Sequence, residues 1–250
     1  MKEYKKRTYR QRFDNDRWHS FVVKYKETDV WIGVDKKSFH SEMSEYTLQI
    51  IRTLRDAMDI YLHQNPSFAL SLTPYDAQAQ APAMAKRMSE ISHIVGVGPM
   101  ATVAGAFATH IAQALKERFG IEEIIVENGG DIYADIKNDM DVCIFAGASP
   151  LSEKIGLHIE ATASPLGICT SSGTVGPSLS FGKADAVMIV CKDALLADGY
   201  ATAFANRIQT TDDINPVINL IASHKDILSA LLVKDDTMGI IGQFDLKIFH

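Results

Sequence analysis

One hairpin signal constrains the fold of this chain more than any other feature of the sequence. The β-branched segment Glu122–Val126 is followed by Glu-Asn-Gly-Gly-Asp at Glu127–Asp131 and then by a second apolar segment, Ile132–Ile136. Asn-Gly between two apolar runs is a strong signal for a tight turn that joins antiparallel strands. We therefore expect a sheet built from hairpins rather than from alternating strand–helix–strand units.

The remaining segments fit the same layout. Trp18–Lys26 and Asp29–Val34 alternate apolar and polar residues on either side of a short break, which predicts another hairpin. Further strands are predicted at residues 142–146, 156–161, 165–168, 186–190, 227–233, 239–242 and 244–249, and helices at 39–63, 83–95, 100–119, 193–208 and 214–222. This arrangement predicts an α+β fold with antiparallel-rich sheets backed by helices. We expect one domain over residues 1–250, with the Pro-bounded loop 73–82 as the best candidate for a join between two lobes.

Charge and cysteine content narrow the functional classes. A formal net charge of −6 argues against a nucleic-acid backbone as the main partner, because that contact needs clustered Lys and Arg. The dense basic run Lys2–Arg12 fits a nucleic-acid arm or a solvated leading strand, and we favour the strand. Cys143, Cys169 and Cys191 are widely spaced, so they indicate neither a metal-ligand pair nor a disulfide framework. With a polar N-terminus and no apolar run of about 18 residues, we expect a cytoplasmic protein without membrane contact.

A Gly-Pro pair opens a helix that the sequence predicts to be buried. Residues Met100–Phe119 are rich in Ala, Gly and Thr and are apolar nearly all round until Lys116. Gly98 and Pro99 place the helix N-terminus, where unpaired N–H groups and the helix dipole favour an anion. The spacing Gly-x-Gly-x-x-Gly is absent, so no Rossmann site is predicted. The stronger alternative is a buried helix that has a Gly-Pro opening and binds no ligand.

The segment Cys169–Gly176 crowds four hydroxyl side chains around a glycine. The hydroxyl residues are Thr170, Ser171, Ser172 and Thr174, and the glycine is Gly173. Glycine allows a tight turn with φ > 0, so successive N–H groups can point into one concavity, and the hydroxyls add donors beside them. The turn is predicted to hold an anion, phosphate above all. An ordinary Ser/Gly-rich surface turn is the equally favoured alternative.

Two further fragments suit an oxygen-rich ligand. In the hairpin motif, Asn128 and Asp131 place one amide and one carboxylate beside paired glycines; the alternative is a tight turn with no ligand. In the helix at 193–208, Asp198 and Thr202 are four residues apart and share a face, which suits Mg²⁺ together with substrate phosphates. Gly199 between them costs about 1 kcal/mol against alanine, which is explained if something approaches the helix closely. The alternative is an exposed aspartate and a threonine bonded to its own helix.

Taken in order, these motifs resemble the FAD:protein FMN transferase (ApbE) superfamily. That family shows a Gly-rich opening of an Ala/Gly helix, a strand ending in Asn-x-Gly-Gly-Asp, a Thr-Ser-Gly turn, and Ala-Asp-x-x-Ala-Thr-Ala on a helix. The matching stretches here are Gly98–Gly105, Glu127–Asp131, Thr170–Gly173 and Ala197–Ala203. The resemblance covers about residues 95–210. The order of the four motifs is much more specific than any one of them.

The resemblance implies a two-lobed α+β protein with a cleft that holds a flavin nucleotide, FAD or FMN, and Mg²⁺. Asp198 and Thr202 match the metal ligands and are thereby the predicted catalytic residues, and a backbone carbonyl in Pro99–Ala101 completes the set. The predicted cofactor-binding residues are Gly98, Pro99, Met100, Asn128, Gly129, Gly130, Asp131, Thr170, Ser171, Ser172, Gly173 and Thr174. The implied chemistry is cleavage of the FAD pyrophosphate and transfer of FMN to a threonine of an acceptor protein.

The sequence departs from the superfamily pattern in the helix that follows the Gly-Pro pair. The transferases carry Lys-Gly-Tyr-Ala-x-Asp, whereas residues 104–109 here read Ala-Gly-Ala-Phe-Ala-Thr. Ala104 therefore replaces the lysine and Thr109 replaces the aspartate, as in a branch of the superfamily that lacks the usual lysine. The metal and phosphate half of the site is kept, while the half that accepts flavin or a target protein is rebuilt.

Two hypotheses from different classes follow. The first is an enzyme that transfers or hydrolyses a nucleotidyl or FMN group of a small phosphorylated ligand with Mg²⁺; the second is a non-catalytic cofactor-binding module of the same fold. The missing lysine favours the module, and the retained pair Asp198 and Thr202 favours the enzyme. An acceptor protein is a candidate partner. The apolar segment Met100–Ala114 fits either the core or contact with a second copy of the chain.

Overall fold

The computed structural model describes residues 17–175 and 180–249. The strands are β1 Trp18–Tyr25, β2 Thr28–Asp35, β3 Ile124–Asn128, β4 Asp131–Asp135, β5 Met140–Cys143, β6 Ile155–Ile159, β7 Leu166–Ser171, β8 Ala186–Cys191, β9 Ile227–Lys234, β10 Thr237–Gly242 and β11 Leu246–Ile248. The helices are α1 Met43–Gln64, α2 Pro66–Leu70, α3 Ala83–Val95, α4 Val103–Phe119, α5 Ala194–Ala205 and α6 Ile214–Ile221, and a 3₁₀ turn at Pro99–Thr102 precedes α4.

The strands form two antiparallel sheets. The larger sheet has eight strands in the order β1-β2-β3-β4-β7-β8-β9-β10, and the smaller has three in the order β11-β6-β5. The predicted Asn-Gly hairpin is confirmed as the β3–β4 turn, in which Asn128 pairs with Asp131. The α+β class and the antiparallel-rich sheets are likewise confirmed, because every strand pair in both sheets is antiparallel.

Side chains alternate between two cores on the two faces of the large sheet. On β7, Cys169 belongs to the core shared with the helices, whereas Ile168 belongs to the core shared with the small sheet. The same alternation places Tyr133 of β4 on the helix side and Ile132 on the other side. Asp131, two residues before Tyr133, therefore faces α4 and α5.

Several predicted boundaries are wrong for local reasons. The helix predicted from Met100 begins at Val103, because Pro99–Thr102 forms a 3₁₀ turn in which the Thr102 hydroxyl donates to the Pro99 carbonyl (2.8 Å). The strand predicted at 142–146 ends at Cys143, four residues before the turn at Gly147 (φ 57°). Helix α2 was not expected from the sequence.

Other expectations concern segments that the structure places differently or does not describe. Residues 73–82 join α2 to α3. Their backbone donates hydrogen bonds to side chains of α3 and α1: the Ala77 N–H to the Ser89 hydroxyl of α3, and the Gln78 N–H to the Tyr61 hydroxyl of α1. A lobe join there remains a prediction. The basic run Lys2–Arg12 and Gly176 lie outside the described residues. Within residues 17–175 and 180–249, no single helix is long and apolar enough to cross a membrane; residues 83–95 and 99–119 qualify only as a pair, bent by 101°.

Candidate acidic site at the start of helix α4

The site is organised around the carboxylate of Asp198 on α5. Its Oδ2 accepts a hydrogen bond from the backbone N–H of Gly105 at 2.9 Å, and the Ala104 N–H donates to the same carboxylate. These are N–H groups of the first turn of α4, which have no partner within their own helix. Their favourable interaction with a negative charge fixes the orientation of the Asp198 side chain.

This geometry supplies the helix start behind the Gly-Pro opening with an anion from the chain itself. The anion at the α4 N-terminus is the chain's own Asp198. Gly98 is required for another reason, because a side chain there would collide with the Ser71 carbonyl oxygen, 1.9 Å from an ideal Cβ. The carbonyls of Pro99 and Met100 accept hydrogen bonds from the Thr102 hydroxyl and the Val103 N–H. Contact between Gly98–Met100 and a cofactor therefore stays a prediction.

Asp131 is the second carboxylate of the site. It opens β4, faces the helices and is only 8% exposed, as is Asp198. The Thr170 backbone N–H donates to it, and the Cys169 thiol is within hydrogen-bonding reach of Asp131 and of the Ala194 carbonyl (3.3 Å). Strand pairing explains the arrangement, because β4 and β7 are neighbours and their helix-facing side chains converge on α5.

Burial makes the ionised forms of both acids costly. Burial raises the pKa of Asp198 to about 7, against the opposing effect of the Gly105 and Ala104 N–H groups. Burial, followed by the charge of Asp198, raises the pKa of Asp131 well above its usual range. Within residues 17–175 and 180–249, neither carboxylate forms an ion pair with Lys, Arg or His. In the part of the chain that the structure describes, the pair therefore has no cationic partner.

The Asn-Gly-Gly turn is held against this acidic pair. Gly129 (φ 75°) and Gly130 (φ 107°) adopt conformations that other residues rarely reach. Gly130 N–H donates to Glu127 Oε1 at 2.7 Å, and Asn128 Nδ2 donates to the Ala104 carbonyl at 3.3 Å. Asn128 thus links the hairpin to the start of α4. Glu127, fully buried at the end of β3, is a positioning residue that the sequence analysis did not select; a carboxylate within an apolar strand was the signal.

Thr202 lies one turn beyond Asp198 on the same face of α5 and is half-buried. Its hydroxyl makes no hydrogen bond to any described residue. The alternative of an exposed aspartate and a threonine bonded to its own helix is therefore wrong. The close approach predicted at Gly199 is confirmed, and the neighbours that make it belong to the protein itself. An ideal Cβ at Gly199 would lie 3.3 Å from the side chains of Thr102 and Val95, so the close neighbours are the 3₁₀ turn and α3 rather than a ligand.

The hydroxyl turn differs from the predicted anion cradle. Gly173 N–H donates to the Ala184 carbonyl (2.9 Å). The N–H groups of Thr174 and Val175 donate to the Ser172 hydroxyl oxygen (3.1 and 2.9 Å). The backbone donors expected to face an anion are thus engaged by the protein itself. Thr170 and Ser171, at the end of β7, make no side-chain hydrogen bond to described residues.

The structure therefore separates the predicted residues into two neighbourhoods. Asn128, Asp131 and Asp198 gather at the start of α4, beside the Thr170 backbone. The Ser172–Thr174 turn instead contacts Ala184 and Asp185. Apart from Glu127, the residues that sequence reasoning missed are Gly105 and Asp185. An ideal Cβ at Gly105 would lie 2.4 Å from the Ala194 carbonyl oxygen, so only glycine allows α4 to pack this closely on α5.

The donor set of the acidic pair suits a hard divalent cation. Carboxylate and hydroxyl oxygens from Asp198, Asp131 and Thr202 are the ligand types that Mg²⁺ prefers, and Mg²⁺ usually takes only one or two protein carboxylates. The described residues contain no group of three or more His, Cys, Asp or Glu side chains arranged to hold a metal. The site thus fits an ion whose remaining ligands come from phosphate and water, and not an all-protein metal cage.

Comparison with known proteins places the chain in a family. A family model described as AbpE bacteria matches residues 10–231. The chain belongs to this family. Among relatives, the UPF0280 protein MJ1526 of Methanocaldococcus jannaschii is 36% identical over 90% of this chain and 91% of its own length. A UPF0280 protein of Methanococcus aeolicus is 39% identical over 72% of this chain and 71% of its own length.

Solved structures share the fold at low sequence identity. The Pseudomonas stutzeri flavinyl transferase ApbE in its apo form has a TM-score of 0.57 at 12% identity, covering 91% of this chain and 94% of that one. The H257G mutant of the flavin transferase ApbE from Vibrio cholerae has a TM-score of 0.54 at 15% identity, covering 90% and 96%. These values confirm the ApbE-like fold predicted from the order of the four motifs.

Proposed function

We propose that this chain binds a flavin nucleotide, FAD or FMN, together with Mg²⁺ at the acidic site, and that it cleaves the FAD pyrophosphate to transfer or release FMN. The observation that carries the proposal is the buried pair Asp131 and Asp198, which has no cationic partner among the described residues. Burying two neighbouring negative charges without compensation is unfavourable, and a bound divalent cation removes that cost.

Each residue has a distinct part in this proposal. Asp198, oriented by the Gly105 and Ala104 N–H groups, and Thr202, one turn further along α5, would hold the ion. Asp131 adds a second negative charge that favours a divalent over a monovalent cation. When bound, Mg²⁺ neutralises phosphate charge and polarises the phosphoryl oxygens. Asn128 keeps the hairpin next to α4, so that both sides of the site stay in register.

Fold similarity supports the flavin part of the proposal. Two structural neighbours with TM-scores above 0.5 are flavin transferases by their descriptions. Their identity to this chain is only 12% and 15%, so the choice of substrate depends on this chain's own residues. The acidic site supplies the groups that a Mg²⁺–pyrophosphate contact needs, and an acceptor protein would take the FMN group if transfer rather than hydrolysis follows.

A non-catalytic binding module is the second candidate. Ala104 and Thr109 stand where the resemblance leads us to expect a lysine and an aspartate, so two ionisable groups of the transferase pattern are missing. A protein that kept the metal and phosphate contacts but lost these groups would bind the nucleotide without cleaving it.

Calorimetric titration tests the binding step. The wild-type protein is titrated with FAD, FMN and ADP, with Mg²⁺ and with EDTA, and the titrations are repeated with Asp198→Ala and with the exposed control Asp212→Ala. We expect Mg²⁺-dependent binding that Asp198→Ala weakens at least tenfold and Asp212→Ala leaves unchanged. If the wild-type protein binds none of the three ligands, the proposal is wrong.

Product analysis separates the two candidates. The protein is incubated with FAD and Mg²⁺, and AMP and FMN are quantified by chromatography. Release of AMP that depends on Asp198 supports the enzyme. Tight binding of intact FAD without AMP release, in the presence of candidate acceptor proteins, supports the module.

A further inference from the structure

Three consecutive backbone N–H groups of the hydroxyl turn, those of Gly173, Thr174 and Val175, are engaged by the protein itself. The Gly173 N–H is bonded to the Ala184 carbonyl, and the N–H groups of Thr174 and Val175 are bonded to the Ser172 hydroxyl oxygen. The Ser172 hydroxyl in turn lies 3.4 Å from the Ala184 carbonyl, which can take its proton. A phosphate accepts hydrogen bonds and offers few or none, so these three N–H groups and the Ser172 hydroxyl are already committed and do not supply the donors that a phosphate requires.

The remaining hydroxyl of the turn points its proton inward. Thr174 Oγ1 donates to Asp185 Oδ1 at 2.9 Å. Asp185 is only 6% exposed, and its other oxygen accepts the Asp235 N–H at 2.6 Å, so the carboxylate cannot turn away. The nearest ammonium, Lys234 Nζ, is 3.9 Å from Oδ2 and is paired with Asp235 at 2.7 Å. With its proton directed at Asp185, the exposed Thr174 hydroxyl presents lone pairs to solvent and to the Ser172 hydroxyl, which lies 3.4 Å away.

We propose that the Ser172–Thr174 turn recognises a hydrogen-bond donor of the ligand, an N–H of its base or an O–H of its polyol chain, and not a phosphate. Asp185 acts through Thr174 as a positioning residue, because it fixes the direction of the hydroxyl proton. The inference rests on the proposed function and refines it. The phosphates belong to the Asp198 neighbourhood, and the flavin or sugar part of the nucleotide belongs to the turn.

Lys183 is the basic residue that could contradict this assignment. Its Cα lies 3.0 Å from an ideal Cβ at Gly173, and its side chain is exposed. If a phosphate bound beside the turn, the Lys183 ammonium would be its natural partner. Lys183→Ala therefore reports directly on whether a phosphate lies there.

Three probes that differ in chemistry test the inference. Riboflavin carries N–H and O–H donors but no phosphate, inorganic pyrophosphate with Mg²⁺ carries only phosphate, and FMN carries both. Thr174→Val, which keeps the side-chain shape and removes the hydroxyl, is expected to weaken riboflavin and FMN binding about tenfold. It should leave Mg²⁺–pyrophosphate binding unchanged. Asp198→Ala should weaken Mg²⁺–pyrophosphate and FMN binding and leave riboflavin binding unchanged, and Thr174→Ser should restore riboflavin binding.

The results that would contradict the inference differ from those that would contradict the proposed function. Weaker pyrophosphate binding in Thr174→Val or Lys183→Ala, or stronger pyrophosphate binding in Asp185→Asn, would show that a phosphate lies at the turn and would overturn the inference. Unchanged riboflavin binding in Thr174→Val would overturn it as well, while the proposed function would stand if Asp198→Ala still weakened FMN binding. If the wild-type protein binds none of the probes, both the proposed function and the inference are wrong. Thermal unfolding of each variant confirms that it is folded.

Discussion

The carboxylate of Asp198 accepts a hydrogen bond from the backbone N–H of Gly105, although 93 residues separate the two in the sequence. This bond does two things at once. It satisfies first-turn N–H groups of α4, and it holds a negative charge beside a second buried acid, Asp131. The same side chain is therefore a structural cap of α4 and the best candidate for a metal ligand. The two roles predict different effects of an Asp198 substitution on the stability of the protein.

Asp198→Asn separates the cap from the charge. The amide oxygen can still accept the Gly105 N–H, while the repulsion with Asp131 disappears. At pH 8 in EDTA we expect the variant to be more stable than the wild type by about 1–2 kcal/mol, because a buried unpaired charge costs more than the helix-end interaction that is lost. Thermal unfolding measures this difference.

Adding Mg²⁺ to the same samples gives the second half of the test. The wild-type protein should gain stability that rises with the logarithm of the Mg²⁺ concentration above the dissociation constant, and Asp198→Asn should gain none. Asp212→Asn, on the exposed surface, serves as the control and should behave as the wild type does. A variant that is less stable than the wild type in EDTA would mean that the charged cap outweighs the repulsion.

Ala104→Lys tests whether the missing lysine accounts for the uncompensated acidic pair. Ala104 is half-buried, and its N–H and carbonyl bond to Asp198 and Asn128. A lysine there would place an ammonium near the two carboxylates. We expect higher stability in EDTA, by about 1 kcal/mol, and a smaller stabilisation by Mg²⁺. Ala104→Gln, similar in length but uncharged, is the matched control; equal responses of the two variants would show that charge is not the cause.

Local features were predictable from the sequence, and long-range pairings were not. The β3–β4 hairpin follows from Asn128-Gly129 because turn chemistry acts within a few residues. The N-cap at Asp193 is likewise local, because its side chain accepts the Leu195 N–H only two residues along the chain. By contrast, no local rule pairs Asp198 with α4 or Thr174 with Asp185. Whether a donor is free or engaged depends on such pairings, so the sequence favoured an anion cradle and an ordinary turn equally, whereas in the structure the Gly173, Thr174 and Val175 N–H groups are engaged.

Gly199 is a second case in which the sequence indicates a contact but not the partner. Its presence within a helix correctly indicated a close approach, but the sequence does not say what approaches. Ile91 and Val95 of α3 and Thr102 of the 3₁₀ turn do so, through side chains rather than through a ligand. The order of four weak motifs was informative because fold membership depends on all of them together, whereas the role of each residue depends on its own neighbours.

Two glycine-to-alanine variants should differ sharply in stability. At Gly105 the added methyl group would meet the Ala194 backbone at 2.4 Å, which cannot yield, so Gly105→Ala should cost about 2–4 kcal/mol. At Gly199 the neighbours are side-chain methyl groups at 3.3 Å, which can shift. There, the gain in helix propensity offsets the crowding, and Gly199→Ala should stay within about 1 kcal/mol of the wild type. Chemical denaturation measures both; similar losses would mean that α5 has a ligand or neighbour at Gly199 that the described contacts do not include.

Glu123 gives a prediction of pH dependence away from the acidic site. Although burial opposes it, hydrogen bonds from the Arg17 guanidinium (2.6 Å) and from the Lys137 and Asn138 N–H groups lower the pKa of Glu123. A carboxylate with a lowered folded-state pKa adds stability above its unfolded-state pKa of about 4.3 and loses it as the pH falls through the folded-state value.

Glu123→Gln should therefore destabilise the protein by about 1–3 kcal/mol at pH 7, because the amide keeps one acceptor but loses the charge that Arg17 faces. The difference from the wild type should shrink as the pH falls below 4, where the wild-type carboxyl also becomes neutral. Glu117→Gln, on the exposed face of α4, should show no such trend. Urea denaturation at a series of pH values tests this, and a loss that is independent of pH would mean that side-chain shape, and not the charge paired with Arg17, stabilises this corner of the sheet.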